Sequence, residues 1–261
     1  MQGVAFAFLG VMVVIPLLVI LQDGLREGLM EFWRQLNLPA ARHALQLTLW
    51  TSALVAVINA VMGLLIAYVL VRYQFTGKTL LNAMVDLPLA IPTLVTGVML
   101  VVLYGPQQPL GAWLIERFGL KVIFAPPGIV IALLFVTLPF VVRAVQPVLK
   151  ELDVVQENAA ATLGARRWTI FRRVVLPALR LPALSGALLS FSRAVGEFGA
   201  IVIVAGNIPM FSQTAAVYVF GEVESENRLG ASVVSLALVA ISFGLMNLIE
   251  WVSRRAGKGR V

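Results

Sequence analysis

The chain has no cysteine and a single histidine, His43, in 261 residues. A disulfide framework and a thiolate metal site are therefore excluded. His43 stands outside any His-Glu-x-x-His pattern and builds no zinc site. Charge is scarce too. Asp, Glu, Lys and Arg make up 13% of the chain and hydrophobic residues 60%, where soluble domains carry about a quarter charged residues. Mean hydropathy is +0.93. Such a chain lacks the polar surface for one or two soluble domains. It reads as an all-α, polytopic membrane protein forming a single transmembrane domain over residues 1–261. The net charge of +7 sits between apolar runs and not in a folded basic domain, which argues against a nucleic-acid partner.

Other chemistries lack their residues. Gly77-Lys78-Thr79 imitates the end of a phosphate-binding loop, but Arg72 stands where that loop needs its first glycine. Serines are present without a nucleophile elbow, and His43 is badly placed to be their base. A secondary anion transporter is a further class to weigh, although no internal inverted repeat is visible.

Six apolar stretches, about 4–22, 43–71, 80–104, 127–149, 179–205 and 230–252, read as membrane spans, since about 20 helical residues cross a bilayer core. The first has neither a basic leader nor a small-residue cleavage site and reads as a retained helix. Pro88, Pro92, Pro139 and Pro147 interrupt the third and fourth, as membrane helices tolerate where neighbours satisfy the freed carbonyls. Trp50, Tyr73, Tyr104 and Trp251 fall near span ends, where aromatic residues anchor in the interface. Asp86 reads as structural.

Thirteen of the 20 Lys and Arg residues would share one side. They are Arg72 and Lys78; Arg143, Lys150, Arg166, Arg167, Arg172, Arg173 and Arg180; and Arg254, Arg255, Lys258 and Arg260. The other side holds six: Arg26, Arg34, Arg42, Arg117, Lys121 and Arg228. This bias places both termini and the segment before the fifth span in the cytoplasm.

That segment, about 150–178, contains ENAAATLGARRWTIFRRVVLP over 157–177. Asp153 and Glu157 suit the first turn of a helix, Ala159, Ala160 and Ala161 favour it, and Gly164 can end it in a left-handed conformation. A second short helix then carries Trp168, Ile170 and Phe171 among four arginines. Small residues beside an apolar anchor with a charged rim suit docking to a partner. An amphipathic helix lying on anionic lipid is the other reading.

A second charged feature lies in the fifth stretch, at Ser192–Gly199. Arg193 and Glu197 are four residues apart and share a helix face. Charge is costly at membrane depth, so the pair should face protein or a water-filled path. It is either an internal ion pair or a cation near an anion pathway held by Glu197. Gly186, Ser190 and Ala194, at intervals of four, permit a close helix contact.

The Ala159-Ala160 pair, Gly164 four residues on and the ending Val174-Val175-Leu176-Pro177 resemble the "EAA" loop of permease subunits of binding-protein-dependent ABC importers. Arg193-Ala194, Gly196-Glu197-Phe198-Gly199 and the later Gly206-Asn207-Ile208-Pro209 turn are similar to the sulfate/thiosulfate branch of that family. The Gly-Glu-Phe-Gly string is shared with molybdate/tungstate permeases. The overall likeness runs from about residue 40 to 252. One departure is Asn158, where the family usually has Glu, although Glu157 keeps an acid just before it.

The resemblance implies a type I importer permease fold in a bacterial inner membrane, with no cofactor and no catalytic or metal site on this chain. ATP would be bound by two separate ATPase subunits, a second and related permease subunit would complete the path, and an extracytoplasmic sulfate-binding protein would deliver the anion. It favours the docking reading of the loop, with Glu157, Asn158, Ala159, Ala160, Gly164, Ala165, Trp168, Phe171, Leu176 and Pro177 as coupling residues. Arg193, Glu197 and Asn207 are the candidates for the path or an internal ion pair. The connection 206–229 would be a docking place for the binding protein or a gate.

Overall fold

The computed structural model describes residues 10–257, together with Phe6 and Phe8, and all regular elements among them are helical. An apolar helix α1 (Gly10–Leu25) is followed by a short amphipathic helix α2 (Leu29–Leu36) and by α3 (Pro39–Arg72). On α2, hydrogen bonding by Arg34 holds the Glu31 carboxyl below its usual range. Next come α4 (Lys78–Ala90), α5 (Thr93–Tyr104), α6 (Pro109–Phe118) and α7 (Pro126–Glu151). The chain continues with α8 (Val154–Thr162), α9 (Arg167–Val195), α10 (Gly199–Ala205), α11 (Ala215–Glu224) and α12 (Arg228–Gly257).

Of these, α3, α7, α9 and α12 are long and apolar enough to cross a membrane, and α4 with α5 makes a fifth crossing if the bent pair is one span. The first stretch is the shorter α1. Its expected start, residues 4–9, lies largely outside the described residues, as do the side chains of the basic C-terminal tail.

Proline decides several boundaries. Pro39 and Pro126 open α3 and α7 in the first turn, where a missing N–H costs nothing. Pro92 forces Ile91 into extended backbone, and α4 and α5 meet there at 111°. The third stretch is thus two helices and not one. Pro177 has no N–H for the carbonyl of Arg173, and a π-turn, Phe171–Val175, fills the preceding turn of α9.

The core is built on α7. Gly63 of α3 and Gly186 of α9 both approach Val141, so closely that a Cβ on either would fall 2.7 Å from its atoms. One turn away Asn59 and Ser190 both meet Thr137, with Asn59 Nδ2 2.9 Å and Ser190 Oγ 2.8 Å from Thr137 Oγ1. All three of those side chains are buried. Thr137 donates to the Leu133 carbonyl at 2.7 Å, which satisfies its own proton. The register therefore runs parallel for α3 with α7 and antiparallel for α9 with α7. Small residues at four-residue spacing permit this closeness in a membrane, where packing and interhelical hydrogen bonds drive association. The expected Gly186-Ser190-Ala194 contact is the α9 side of it, with Ala194 in the same core cluster as Leu133.

Two expectations about the fifth stretch change. The helix begins at Arg167, well inside the predicted loop, and ends at Val195, before the predicted end. Residues 196–198 break it, and α10 is a separate helix. This α10 lies beside α5 with its start near Thr93 and its end near Tyr104 and Val122. The connections also hold helices of their own: α2, α6 and α11.

Candidate functional site

The segment 150–178 forms an arm at one end of the bundle. Its first helix, α8, is capped by Asp153, whose carboxylate accepts the Val155 N–H at 2.9 Å. It stops at Gly164, with φ +81°. There the Ala165 N–H reaches the Ala160 carbonyl at 3.1 Å and the Gly164 N–H reaches Ala161 at 2.9 Å. This pairing closes a helix end around a left-handed residue. A Cβ on Gly164 would meet nothing within 4 Å, so its conformation and not crowding within the chain calls for glycine here.

Glu157 faces inward. Arg72, at the end of α3, places Nε 2.8 Å and Nη2 2.7 Å from Glu157 Oε1. Arg72 also donates to the Leu152 carbonyl at 3.1 Å. Both charged side chains are 13% exposed. The acid that precedes Asn158 is therefore engaged within the chain, and α8 is fastened to α3. Asn158 and Ala159 are exposed, and Ala160 and Ala165 are half-buried.

The second half of the arm is the first part of α9. Trp168 is 68% exposed and stacks on Phe171 at 5.6 Å between ring centroids. Phe171 in turn meets Tyr68 of α3 edge-on at 5.1 Å. Contacts of this kind add about 0.5–1.5 kcal/mol each beyond burial. Leu176 packs on the core cluster at this end of the bundle, beside Val175 and Leu179, and Pro177 is exposed. The arm thus presents Trp168, Leu163, which is 89% exposed, and Val155 outward, while Phe171, Ile170 and Leu176 fix it from behind. Isolated exposed apolar groups are common. Large ones on the arm make it a candidate contact surface.

Arg193 and Glu197 stand at the break between α9 and α10. Arg193 Nη2 is 2.6 Å from Glu197 Oε2, with Arg193 36% and Glu197 1% exposed. The other carboxylate oxygen accepts the Ala200 N–H at 3.0 Å, in the first turn of α10. Glu197 therefore joins the two helices across their break, and the pair spans a helix end instead of one continuous face. Asn207 is not brought to it. Asn207 lies beyond the far end of α10, with φ +51°, and accepts from Gln213 Nε2 at 2.8 Å.

Sequence reasoning missed two polar groups. One is the Asn59–Thr137–Ser190 node; an Asn in an apolar run was its available signal. The other is Arg143, which the charge count assigns to the cytoplasmic side although it falls inside the stretch 127–149 and lies within α7. Its Nε donates to Asp86 Oδ1 at 2.6 Å, and its Nη1 and Nη2 reach the Asn82 side chain and backbone carbonyl, each at 3.0 Å. Nη2 also pairs with the second Asp86 oxygen, and Gln146 joins the cluster. Asp86 is thus structural, as expected, and α4 is locked to α7. Among the described residues, no group of three His, Asp or Glu could hold a metal ion.

The sequence pattern described as "Binding-protein-dependent transport system inner membrane component" matches residues 59–258. The probable sulfate transport system permease protein cysT of Nephroselmis olivacea is 42% identical over 242 residues, covering 93% of this chain and 85% of that one. The sulfate transport system permease protein CysT of Escherichia coli (strain K12) is 37% identical over 256 residues, with 98% and 92% covered. Among solved structures, a bacterial ABC transporter involved in the import of the acidic polysaccharide alginate superposes with a TM-score of 0.79 at 14% identity, covering 96% of this chain and 92% of that one. The MetNI methionine ABC transporter in an inward-facing conformation gives 0.58 at 16% identity, with 82% and 96% covered. Arm, bundle and sequence pattern agree: the chain belongs to the inner-membrane permease components of binding-protein-dependent ABC transport systems.

Proposed function

We propose that this chain is the permease subunit of an ATP-driven importer of sulfate or thiosulfate, with the arm as its coupling element. The observation that carries the reading is the arm itself: an apolar, projecting tip whose second half is continuous with a membrane helix. Its relatives named as sulfate permeases supply the anion. ATP chemistry belongs to two separate ATPase subunits. A related permease subunit completes the path, and an extracytoplasmic sulfate-binding protein delivers the substrate. The arm and both termini face the cytoplasm of a bacterial cell, in keeping with the Lys and Arg bias.

Mechanically, a coupling element needs two discrete arrangements and a rigid link between them. From Arg167 to Val195, α9 has 29 residues, about 43 Å of helix at 1.5 Å per residue. A displacement at Trp168 is therefore carried along one rod to Arg193. The Arg72–Glu157 bridge makes α3 move with the arm. At the other end Glu197 passes the motion to α10, and the half-exposed Arg193 guanidinium supplies the positive charge that a dianion needs at membrane depth.

The test is reconstitution. Proteoliposomes holding this chain, its partner permease, the ATPase and the binding protein should accumulate labelled sulfate only with ATP. Accumulation by the chain alone under an ion gradient would make it a secondary transporter. Preference for molybdate over sulfate would move it to that branch of the family.

A further inference from the structure

At the arm end of the bundle, the turn between α3 and α4 and the last turns of α7 enclose a pocket of about 440 Å³. Its polar lining is Gln74, Lys78, Thr79, Asn82, Gln146 and Lys150, with two apolar side chains from the end of α3. No carboxylate lines it. Neither Lys78 nor Lys150 takes part in an ion pair among the described residues. The nearest acid on α4, Asp86, is already matched by Arg143. The floor is rigid, because Asn82 Oδ1 accepts both from Arg143 and from Gln146 Nε2, the latter at 3.2 Å, and Gln146 is 5% exposed. Two lysines thus line one concave, mixed polar and apolar surface that carries no carboxylate of its own.

We propose that this pocket binds a tetrahedral oxyanion group, either a free dianion such as sulfate or phosphate or the phosphate of an inner-leaflet lipid. Lysine ammonium groups suit such ligands as point charges, and the amide and hydroxyl groups of Gln74 and Thr79 can add hydrogen bonds. The site is not a nucleotide loop. Gly77, with φ +88°, only turns the chain into α4. Lys78 opens α4, and Lys150 closes α7 just before the arm departs. An occupied pocket would therefore tie α4 to the root of the arm. The membrane sidedness of this inference rests on the importer reading; the binding itself does not.

The absence of cysteine from the chain permits a clean test. The full chain carrying Thr76→Cys, an exposed position in the turn beside the pocket, labelled with an environment-sensitive dye, is placed in phosphatidylcholine nanodiscs and titrated with sodium sulfate or phosphate at constant ionic strength. A second arm uses nanodiscs containing phosphatidylglycerol without added anion. A saturable signal with the free anions assigns a free oxyanion; a signal only with the anionic lipid assigns a headgroup. In either case Lys78→Gln with Lys150→Gln should weaken the response about tenfold or more, the loss expected for charge-assisted contacts, and the paired Arg variants should keep it. Lys150→Gln alone, at an exposed helix end, repeats the test where the double variant fails to fold. A flat signal in both arms, or an unchanged response in the Gln variants, overturns the proposal. Normal ATP-driven sulfate uptake beside a flat signal removes the pocket only. A saturable signal without uptake counts against the importer reading only.

Discussion

Arg72 and Glu157 stand 85 positions apart in sequence, and their side chains meet with Nη2 2.7 Å from Oε1. One closes a membrane helix and the other lies in the first turns of the arm. Because both are largely shielded from water, removing either leaves the other charged and poorly paired. Arg72→Gln and Glu157→Gln should each lower uptake per ATP hydrolysed several-fold. A double-mutant cycle on thermal unfolding should return a coupling of about 1–3 kcal/mol. Additive effects would mean that the bridge does not hold the arm.

Gly164 separates a conformational from a steric demand. A non-glycine residue at φ +81° costs about 1–2 kcal/mol, and the chain leaves open space around it. Gly164→Ala should therefore insert normally with modest loss of transport. Gly164→Trp should abolish ATPase coupling at equal expression. Equal transport by the two variants, read as sulfate uptake against ATPase co-purification, would show that no partner surface comes close there.

Trp168 and Ile170 should behave oppositely. Trp168 is exposed and Ile170 buried. Trp168→Ala should lower the stability of the free chain by no more than the roughly 0.5–1.5 kcal/mol of its stacking on Phe171, while costing about 2 kcal/mol or more, a roughly 30-fold loss, in ATPase affinity. Ile170→Ala should lower the melting temperature first. Pull-down titrations and melting curves on the same preparations decide between them.

Arg193→Ala would strand a buried Glu197 carboxylate with only the Ala200 N–H, at a cost of about 3 kcal/mol. Complex yield should fall. Arg193→Met with Glu197→Gln should recover yield. If sulfate uptake recovers as well, the pair is purely structural; if it does not, Arg193 acts on the anion.

Cysteines introduced singly at Arg167 and Asn227 should react with impermeant reagents from opposite sides of the membrane. The cysteine-free background makes each readout unambiguous. Labelling from the same side would overturn the proposed topology.

Much of this was legible residue by residue. The arm could be read because its signals are local: Asp153 as cap, an Ala run, Gly164 as stop. The α7 contact was half legible, since Gly186, Ser190 and Ala194 announce a close face but not its partner. The family pattern names Glu157 as a coupling residue, and nothing in a one-dimensional string says that Arg72 lies beside it. Arg143 falls inside the apolar stretch 127–149, and only the arrival of Asp86 from another helix shows how its charge is neutralised there. The fifth span was drawn too long because residues 196–205 are apolar enough to continue it, and hydropathy is blind to a break at Gly196.

The sequence by itself determined that this chain lives in a membrane, that its helices begin and end near particular prolines and glycines, and that a basic, small-residue arm interrupts them. Those properties follow from transfer free energies and backbone torsions, which each residue carries with it. Tertiary structure alone decided which charges find partners, that α3 and α9 both close on Val141, and that Lys78 and Lys150 face one pocket. Each of these depends on the meeting of helices far apart in the chain, and in a bilayer that meeting is selected by packing and polar contacts instead of by hydrophobicity.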